Sequence, residues 1–330
     1  MSVVSHWNAL ADRVLDGGAV TADEALAALR APDSELIELL LAAYRLRYQH
    51  HRREVRIHVL QNAKSGLCPE DCAFCSQSVV HQSPVPRYRM QTVDELVAGA
   101  RQAHARGAVK YCMVTSTRGP SDRDLGVICE ATRRIKVELG IQICASLGLL
   151  TDGQAAELAA AGVDRFNHNL ESSRRHFPAI CSTHDFDDRV ATVRRARAAG
   201  MEACCGGIMG MGERLEDRVA LALELRELEV ESIPVNFLDP RPETPLANAE
   251  RLTPADALRA LAMMRLVNPT RDIRVAGGRE VTLGWAQPLA LLPANSMFIN
   301  GYLTTPGAGW EADLAMIEAA GFEVAAHSAA

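Results

Sequence analysis

Three cysteines fall within eight residues, Cys68-Pro-Glu-Asp-Cys72-Ala-Phe-Cys75, at the spacing C-x3-C-x2-C. Thiolates are soft ligands that select iron–sulfur clusters, copper(I) or zinc. A structural zinc site wants a fourth Cys or His close by, usually in a second C-x2-C or H-x3-H pair. The nearest candidate, His81, stands alone in a polar loop. Three thiolates on an iron–sulfur cubane, by contrast, leave one iron open to a small molecule. A zinc knuckle, or three thiols with no shared ligand, is the competing explanation of the same spacing.

A second set of unusual residues lies far apart in the chain, in short apolar stretches. Cys112 sits in Val109–Thr115, Cys144 in Ile141–Ser146, Cys204 and Cys205 in a third stretch, and Arg274 in Asp272–Ala276. If these are strands of a barrel, alternate side chains point inward, and three thiols and a guanidinium can meet at one interior point. Each cysteine alone is equally well explained as a small buried hydrophobe. Arg274 is harder to explain that way, because an inward arginine needs a partner. In Asp164-Arg-Phe-Asn-His-Asn-Leu-Glu171, the two-residue strand period puts Asn167, Asn169 and Glu171 on one face. Amides turned inward must be hydrogen-bonded, so the row reads as a polar ligand site or a satisfied polar core. Asn236 adds a further amide, and His168 falls on the opposite face as a structural residue.

The elements that must position these groups are those of an ordinary globular chain. The 330 residues are 48% hydrophobic and 23% charged, which is one large domain or two ordinary ones. A net charge of −6 argues against a nucleic-acid footprint, which would show as a basic face. The longest apolar run, Leu36–Tyr44, is interrupted by Glu38 and far short of a membrane span. Nothing at the N-terminus reads as a secretory signal, so nine cysteines point to a reducing compartment, the cytoplasm.

Residues 1–52 read as a helical, peripheral extension, with a capping box at Thr21–Glu24. From Val55 strands alternate with helices. Strands are expected near 55–62, 109–115, 141–147, 164–170, 202–208, 231–237, 271–276 and 296–300. Helices are expected at 92–107, 121–139, 151–162, 186–200, 214–229, 253–267, 282–291 and 310–321, several ending in a glycine stop such as Gly107 or Gly162. Eight such units fit a closed (β/α)8 TIM-type barrel over 53–324, with a tail at 325–330. An open doubly wound sheet is the competitor, but its first turn would more often carry a glycine-rich phosphate loop, and the cysteine loop stands there instead.

The cysteine loop, with Phe74 before its third cysteine, resembles the radical S-adenosylmethionine (SAM) superfamily. The segments Asn62–Cys72, Tyr111–Val114, Phe166–Leu170, Gly206–Glu213, Pro234–Phe237, Arg274–Glu280 and Tyr302–Thr305 together resemble, in order, the biotin synthase family within it. The resemblance implies two clusters. A 4Fe–4S cluster would sit on Cys68, Cys72 and Cys75, and a 2Fe–2S cluster on Cys112, Cys144, Cys204 and Arg274. It implies conversion of dethiobiotin to biotin by sulfur insertion, with SAM cleaved by an electron from a flavodoxin- or ferredoxin-type donor. The clusters and SAM would carry the chemistry, with no side chain as catalyst. SAM would meet Phe74, Asn169, Glu171 and Arg189, and the ureido ring of dethiobiotin would meet Asn167 and Asn236. A homodimer is expected from the family.

Some positions depart from that family. Glu171 stands where members often have Asp, and Glu243 replaces a glycine common in its loop. Adjacent strand residues face opposite ways, so only one of Cys204 and Cys205 can reach a shared centre. Cys129 and Cys181 match no family role and are expected to be structural or incidental. A radical SAM enzyme acting on another small molecule, or a non-catalytic metal scaffold, are the alternative readings.

Overall fold

The structure, a computed structural model, describes residues 6–304 and 307–325. Thr305 of the Tyr302–Thr305 segment, and all but Ala325 of the expected tail, lie outside the described residues. Three helices come first, α1 (His6–Leu15), α2 (Ala22–Leu29) and α3 (Leu36–His51). The alternating part follows: β1 (Glu54–Lys64), α4 (Val93–Ala105), β2 (Lys110–Thr115), α5 (Asp122–Leu139), β3 (Gln142–Ser146), α6 (Asp152–Ala161), β4 (Arg165–Asn167), α7 (Phe186–Ala198), β5 (Glu202–Cys204), β6 (Gly207–Met209) and α8 (Leu215–Glu227). It continues with β7 (Ser232–Phe237), α9 (Pro254–Val267), β8 (Asp272–Val275), α10 (Arg279–Leu283), α11 (Gln287–Ala290), β9 (Ser296–Phe298), α12 (Trp310–Ala319) and β10 (Glu323–Val324).

Every ladder is parallel, and the sheet runs β1-β2-β3-β4-β5-β7-β8-β9. β9 returns to β1, with His58 opposite Phe298, so the sheet closes into a (β/α)8 barrel. The closed sheet, not the open competitor, is the fold. Helices start where the sequence places caps. Thr21, Thr92 and Thr151 each accept the N–H of the residue three along, which reaches back in turn. Gly107, Gly162, Gly200 and Gly321 all take positive φ at helix ends.

Two strands differ from the alternation pattern. β4 stops at Asn167, residues 168–170 run outside the ladder, and Glu171 returns as a lone bridge to Gly207. The fifth strand is split into β5 and β6 around Cys205-Gly206. Pro234, in the neighbouring β7, brings no N–H to the ladder at this point. Gly206 lies so close to it that a Cβ would meet the Pro234 carbonyl oxygen at 1.9 Å. Its own carbonyl instead accepts the N–H groups of Leu170 and Glu171, tying the end of β4 to the break. The expected helix at 282–291 is likewise two short helices parted at Gly284, whose φ is +51°.

The N-terminal extension is more than peripheral. α1 packs on α3, α3 on α9, and α2 on α8 and α9, and Trp7, Leu39, Leu40 and Leu46 are buried. The Arg47 guanidinium is fully buried and donates to the carbonyls of Arg52, Glu54 (2.7 Å) and Ala294 (3.3 Å). It thereby joins the entry of β1 to the segment leading into β9, where the barrel closes. Among the described residues no helix is long and apolar enough to cross a membrane.

Glu243 has a structural account. Thr244 donates its N–H to the Arg241 carbonyl at 3.3 Å, with Pro242 and Glu243 between them. Glu243 has φ +62°, so the turn places proline second and a left-handed residue third, the arrangement in which glycine fits best. Glu243→Gly is expected to stabilise the protein by about 0.5–1 kcal/mol, relief of left-handed strain outweighing the added freedom of the unfolded chain. Denaturant unfolding of the two proteins checks this.

Candidate active site and metal centres

The floor of the barrel is polar and charged. β2 and β3 run in register with Cys112 opposite Cys144, and a hydrogen bond from Cys144 holds the Cys112 thiol below its ordinary value. Arg274, 1% exposed, donates to Cys204 Sγ at 3.4 Å and Ser232 Oγ at 2.8 Å, and its NH2 lies 3.3 Å from Asp272 Oδ2. Cys205 points the other way, into the apolar core. The four expected groups of the second centre are therefore gathered at one level of the barrel.

Beneath them lies a network that sequence reasoning missed. Asp272 accepts from Arg165 at 3.2 Å, Ser232 at 3.0 Å, Ser296 at 2.6 Å and Asn295 at 3.0 Å. Burial pushes the Asp272 carboxyl up, but Arg274 and then Arg165 hold it well below the usual carboxylate range. Burial, and then Arg274, hold the His58 imidazole well below its ordinary value. Arg165 also donates to Glu202 at 2.8 Å, which faces Lys110 at 3.4 Å. Three cations, Lys110, Arg165 and Arg274, thus face two carboxylates. The excess positive charge and the three thiols suit an anionic metal–sulfide group. Arg274 Nε has no partner, a buried donor still to be satisfied.

Above this floor opens a cavity of about 290 Å³, bordered by Cys68, Cys72, Phe74 and Cys75 on one side and by Asn167, Asn236 and Tyr302 on the other. Asn167 donates to Cys204 Sγ at 3.2 Å, so the cavity meets the second centre through this side chain. Asn169 is committed to the strand break, accepting the Gly206 N–H at 3.1 Å. Asn236 accepts the Gly277 N–H at 2.8 Å and donates to the Gly207 carbonyl at 3.2 Å. Gly277 itself must be glycine, since a Cβ there would meet the Tyr302 ring at 2.8 Å.

Arg189 reaches in from α7. It donates to the Asn169 carbonyl at 2.7 Å, lies 3.6 Å from Glu171 Oε1 and points NH2 at Cys72 Sγ, 3.9 Å away. Its Nε and Glu171 Oε2 are both buried without partners, an unfilled donor and acceptor on the cavity wall. Burial raises the Glu171 carboxyl above its ordinary value against the pull of Arg189. Glu171 has φ +68°, a conformation that Asp and Asn adopt more readily than Glu.

The cysteine loop itself is held rigidly. Cys75 N–H closes on the Cys72 carbonyl at 2.9 Å, and Cys68 and Val79 exchange across to residues 77 and 68. All nine cysteines are free. Burial pushes the Cys68 thiol up to about 11, so ionising this set calls for a bound cation, which deprotonates coordinating thiols outright. Loop and cavity together therefore fit a cluster on Cys68, Cys72 and Cys75.

The amide row follows no strand period beyond Asn167. Asn169 and Glu171 lie beyond the end of β4 and reach the cavity through an irregular segment, and His168 borders the same cavity rather than the far side. Cys181, expected to be structural or incidental, has its Sγ 3.8 Å from that of Cys72. Cys129 is a helix residue in the core, with Sγ 3.9 Å from the Glu157 carbonyl. The buried Arg165 and Asp272 stand at the first positions of β4 and β8, where a charged residue gives no sign in the sequence that it is buried.

Residues 63–225 match the radical SAM superfamily, and residues 234–323 match the biotin and thiamin synthesis associated domain. A methylornithine synthase structure superposes with a TM-score of 0.85 at 19% identity, covering 96% of this chain and 97% of that one. The FeFe-hydrogenase maturase of Carboxydothermus hydrogenoformans gives 0.82 at 17% identity, over 98% of this chain and 80% of that one. At such identities the likeness is one of fold. Barrel and cysteine loop thus define a radical SAM protein. The biotin synthase of Salinibacter ruber is 58% identical over 97% of this chain and 89% of its own length, and that of Rhodopirellula baltica is 50% identical over 97% and 89%. The chain belongs to the biotin synthase family.

Asp272→Asn leaves two buried guanidinium groups short of their charge partner, and is expected to destabilise the metal-free protein by about 3–5 kcal/mol. In the wild type the carboxylate's contribution is complete above its ordinary pKa of 3.8 and is lost as pH falls through the depressed native value. Urea unfolding at several pH values should therefore show an acid limb in the wild type that shrinks in the variant.

Proposed function

We propose that the chain converts dethiobiotin to biotin, replacing two C–H bonds by two C–S bonds, with SAM as co-substrate. The observation that carries this reading is the pairing of two cysteine sets across one cavity, the C-x3-C-x2-C loop at its wall and Cys112, Cys144, Cys204 and Arg274 beneath its floor. Cys68, Cys72 and Cys75 would hold a 4Fe–4S cluster and the second set a 2Fe–2S cluster. When bound, the first would supply the electron for SAM cleavage and the second would supply the sulfur.

The chain's own residues bind, orient and exclude water. Arg189, with its unfilled Nε, is placed to receive the methionine carboxylate of SAM, and its charge sits beside Cys72. Glu171, with Oε2 unfilled, and Asn169 face the same space and would take the ribose hydroxyls, while Phe74 offers an aromatic face to the adenine. Asn167 and Asn236 would hydrogen-bond the ureido ring. Because Asn167 already touches Cys204 Sγ, a substrate held by it lies next to the second centre. Arg274 donates to the same sulfur and stabilises negative charge there. A reduced flavodoxin- or ferredoxin-type protein would deliver the electron to a homodimer, in the cytoplasm, where nine unpaired cysteines remain reduced.

Anaerobic incubation of the reconstituted protein with dethiobiotin, SAM and a low-potential reductant should yield biotin, 5′-deoxyadenosine and methionine by mass spectrometry. Deoxyadenosine without biotin, from protein carrying both clusters, would reject dethiobiotin as the substrate. Cys112→Ala is expected to cleave SAM yet form no biotin. Arg189→Ala should weaken SAM binding by about tenfold or more, the scale of one lost charged hydrogen bond.

A further inference from the structure

The segment after β4 places a second group of ligand atoms against the cysteine loop. Cys72 Sγ, Cys181 Sγ and a ring nitrogen of His184 all lie within 4.8 Å of one another. The two sulfurs are 3.8 Å apart, and Cys181 Sγ is 3.3 Å from Nδ1 and 3.8 Å from Nε2 of His184. A tetrahedral ion with bonds of about 2.3 Å to sulfur and about 2.0–2.1 Å to nitrogen separates two thiolates by about 3.8 Å, and a thiolate from an imidazole nitrogen by about 3.5 Å. The sulfur–sulfur spacing found equals the first value, and the Cys181 Sγ–Nε2 spacing of 3.8 Å is slightly wider than the second.

The surroundings favour the same use. Glu70 takes the Nδ1 position of His184, leaving Nε2 for a metal in the carboxylate–histidine arrangement that orients ligating imidazoles. Asp71 fixes the loop by accepting the N–H groups of Ser182 at 3.0 Å and Thr183 at 3.2 Å. Cys72 and Cys181 are 7% and 6% exposed, and the His184 side chain 4%. The set is thus a Cys2His site on two pinned loops, with a fourth position left for water or the nearby Asp71 carboxylate, whose Oδ1 is 3.3 Å from Cys181 Sγ.

We propose that, in the cluster-free protein, Cys72, Cys181 and His184 bind a single divalent transition-metal ion such as zinc or iron(II). Binding displaces the two thiol protons and leaves the oxidation state of the metal unchanged. Because the ion holds Cys72 as a terminal ligand, this ion and the cluster assigned to Cys68, Cys72 and Cys75 exclude each other. That exclusion rests on the cluster assignment above, whereas the ion site itself does not.

Reduced, metal-free, full-length protein is titrated with Co2+ alone, as wild type and as Cys181→Ser, His184→Gln and Cys68→Ser. The Cys181 and His184 variants should bind one equivalent fewer, or that equivalent about tenfold more weakly or worse. His184→Gln should also lose imidazole-nitrogen coupling in pulsed EPR of the cobalt protein, while Cys68→Ser keeps it. Undiminished binding and coupling in His184→Gln, or their loss in Cys68→Ser alone, overturns the site. Far-UV circular dichroism checks the fold, and the mild His184→Gln change preserves the test if Cys181→Ser does not fold. Zinc-preloaded wild type should then take up less iron and sulfide than zinc-preloaded Cys181→Ser, and equal uptake rejects the exclusion. Failure of zinc-free wild type to assemble its cluster would instead reject the cluster assignment and leave the cobalt result standing.

Discussion

A guanidinium buried at the centre of a barrel dictates much of what surrounds it. Arg274 cannot shed its proton, so the interior must supply a negative partner and further acceptors. Asp272, two residues earlier on β8, provides the charge, Ser232 accepts from the guanidinium, and Ser232 and Ser296 from the flanking strands donate their hydroxyls to Asp272. Asp272 in turn draws in Arg165, Arg165 draws in Glu202, and Glu202 accepts from Lys110. A (β/α)8 barrel normally fills this space with layers of branched aliphatic side chains. Here a charged network replaces them, and the three thiols are embedded in its upper surface. The apolar packing moves outward, between strands and helices, where residues such as Ile57, Phe166 and Ile233 are fully buried.

The break in the fifth strand serves the same site. A continuous strand would run through the space that Leu170 and Glu171 occupy, and any side chain at Gly206 or Gly207 would strike Pro234 or Glu171. With the break, β4 can end early and turn Asn169 and Glu171 toward the cavity. Arg189 then bridges the two halves of the site, touching the Asn169 carbonyl on one side and facing Cys72 on the other. The cysteine loop and the segment after β4 are therefore connected through one side chain. The N-terminal helices act at a distance from this site, their Arg47 securing the entry of the two strands that close the barrel.

Much of this was legible in the residues themselves. The C-x3-C-x2-C spacing brings three thiols together by covalent connection alone, whatever the rest of the chain does. The alternation of strands and helices, with threonine caps and glycine stops, follows from local backbone preferences, and eight such units leave few ways to close. The mid-strand cysteines and Arg274 were also readable, because strand position and inward facing are set by a two-residue period. Glu243 was visible as an oddity, though its meaning needed the turn that forces a left-handed backbone at that residue.

What the tertiary structure alone decided are the coincidences between distant segments. Cys181 reads as incidental in the chain, and only the approach of the segment after β4 to the cysteine loop sets it against Cys72, 109 positions away. The irregular path that carries His168, Asn169 and Glu171 to the cavity depends on Pro234 in another strand, which no period within their own segment can reveal. The partners of Arg165 and Asp272 come likewise from strands β5, β7 and β9 and from the residue just before β9. Local spacing and periodicity act over a few residues of one chain segment. Which side chains meet across a barrel is set by strand register and packing, and these exist only once the whole sheet has closed.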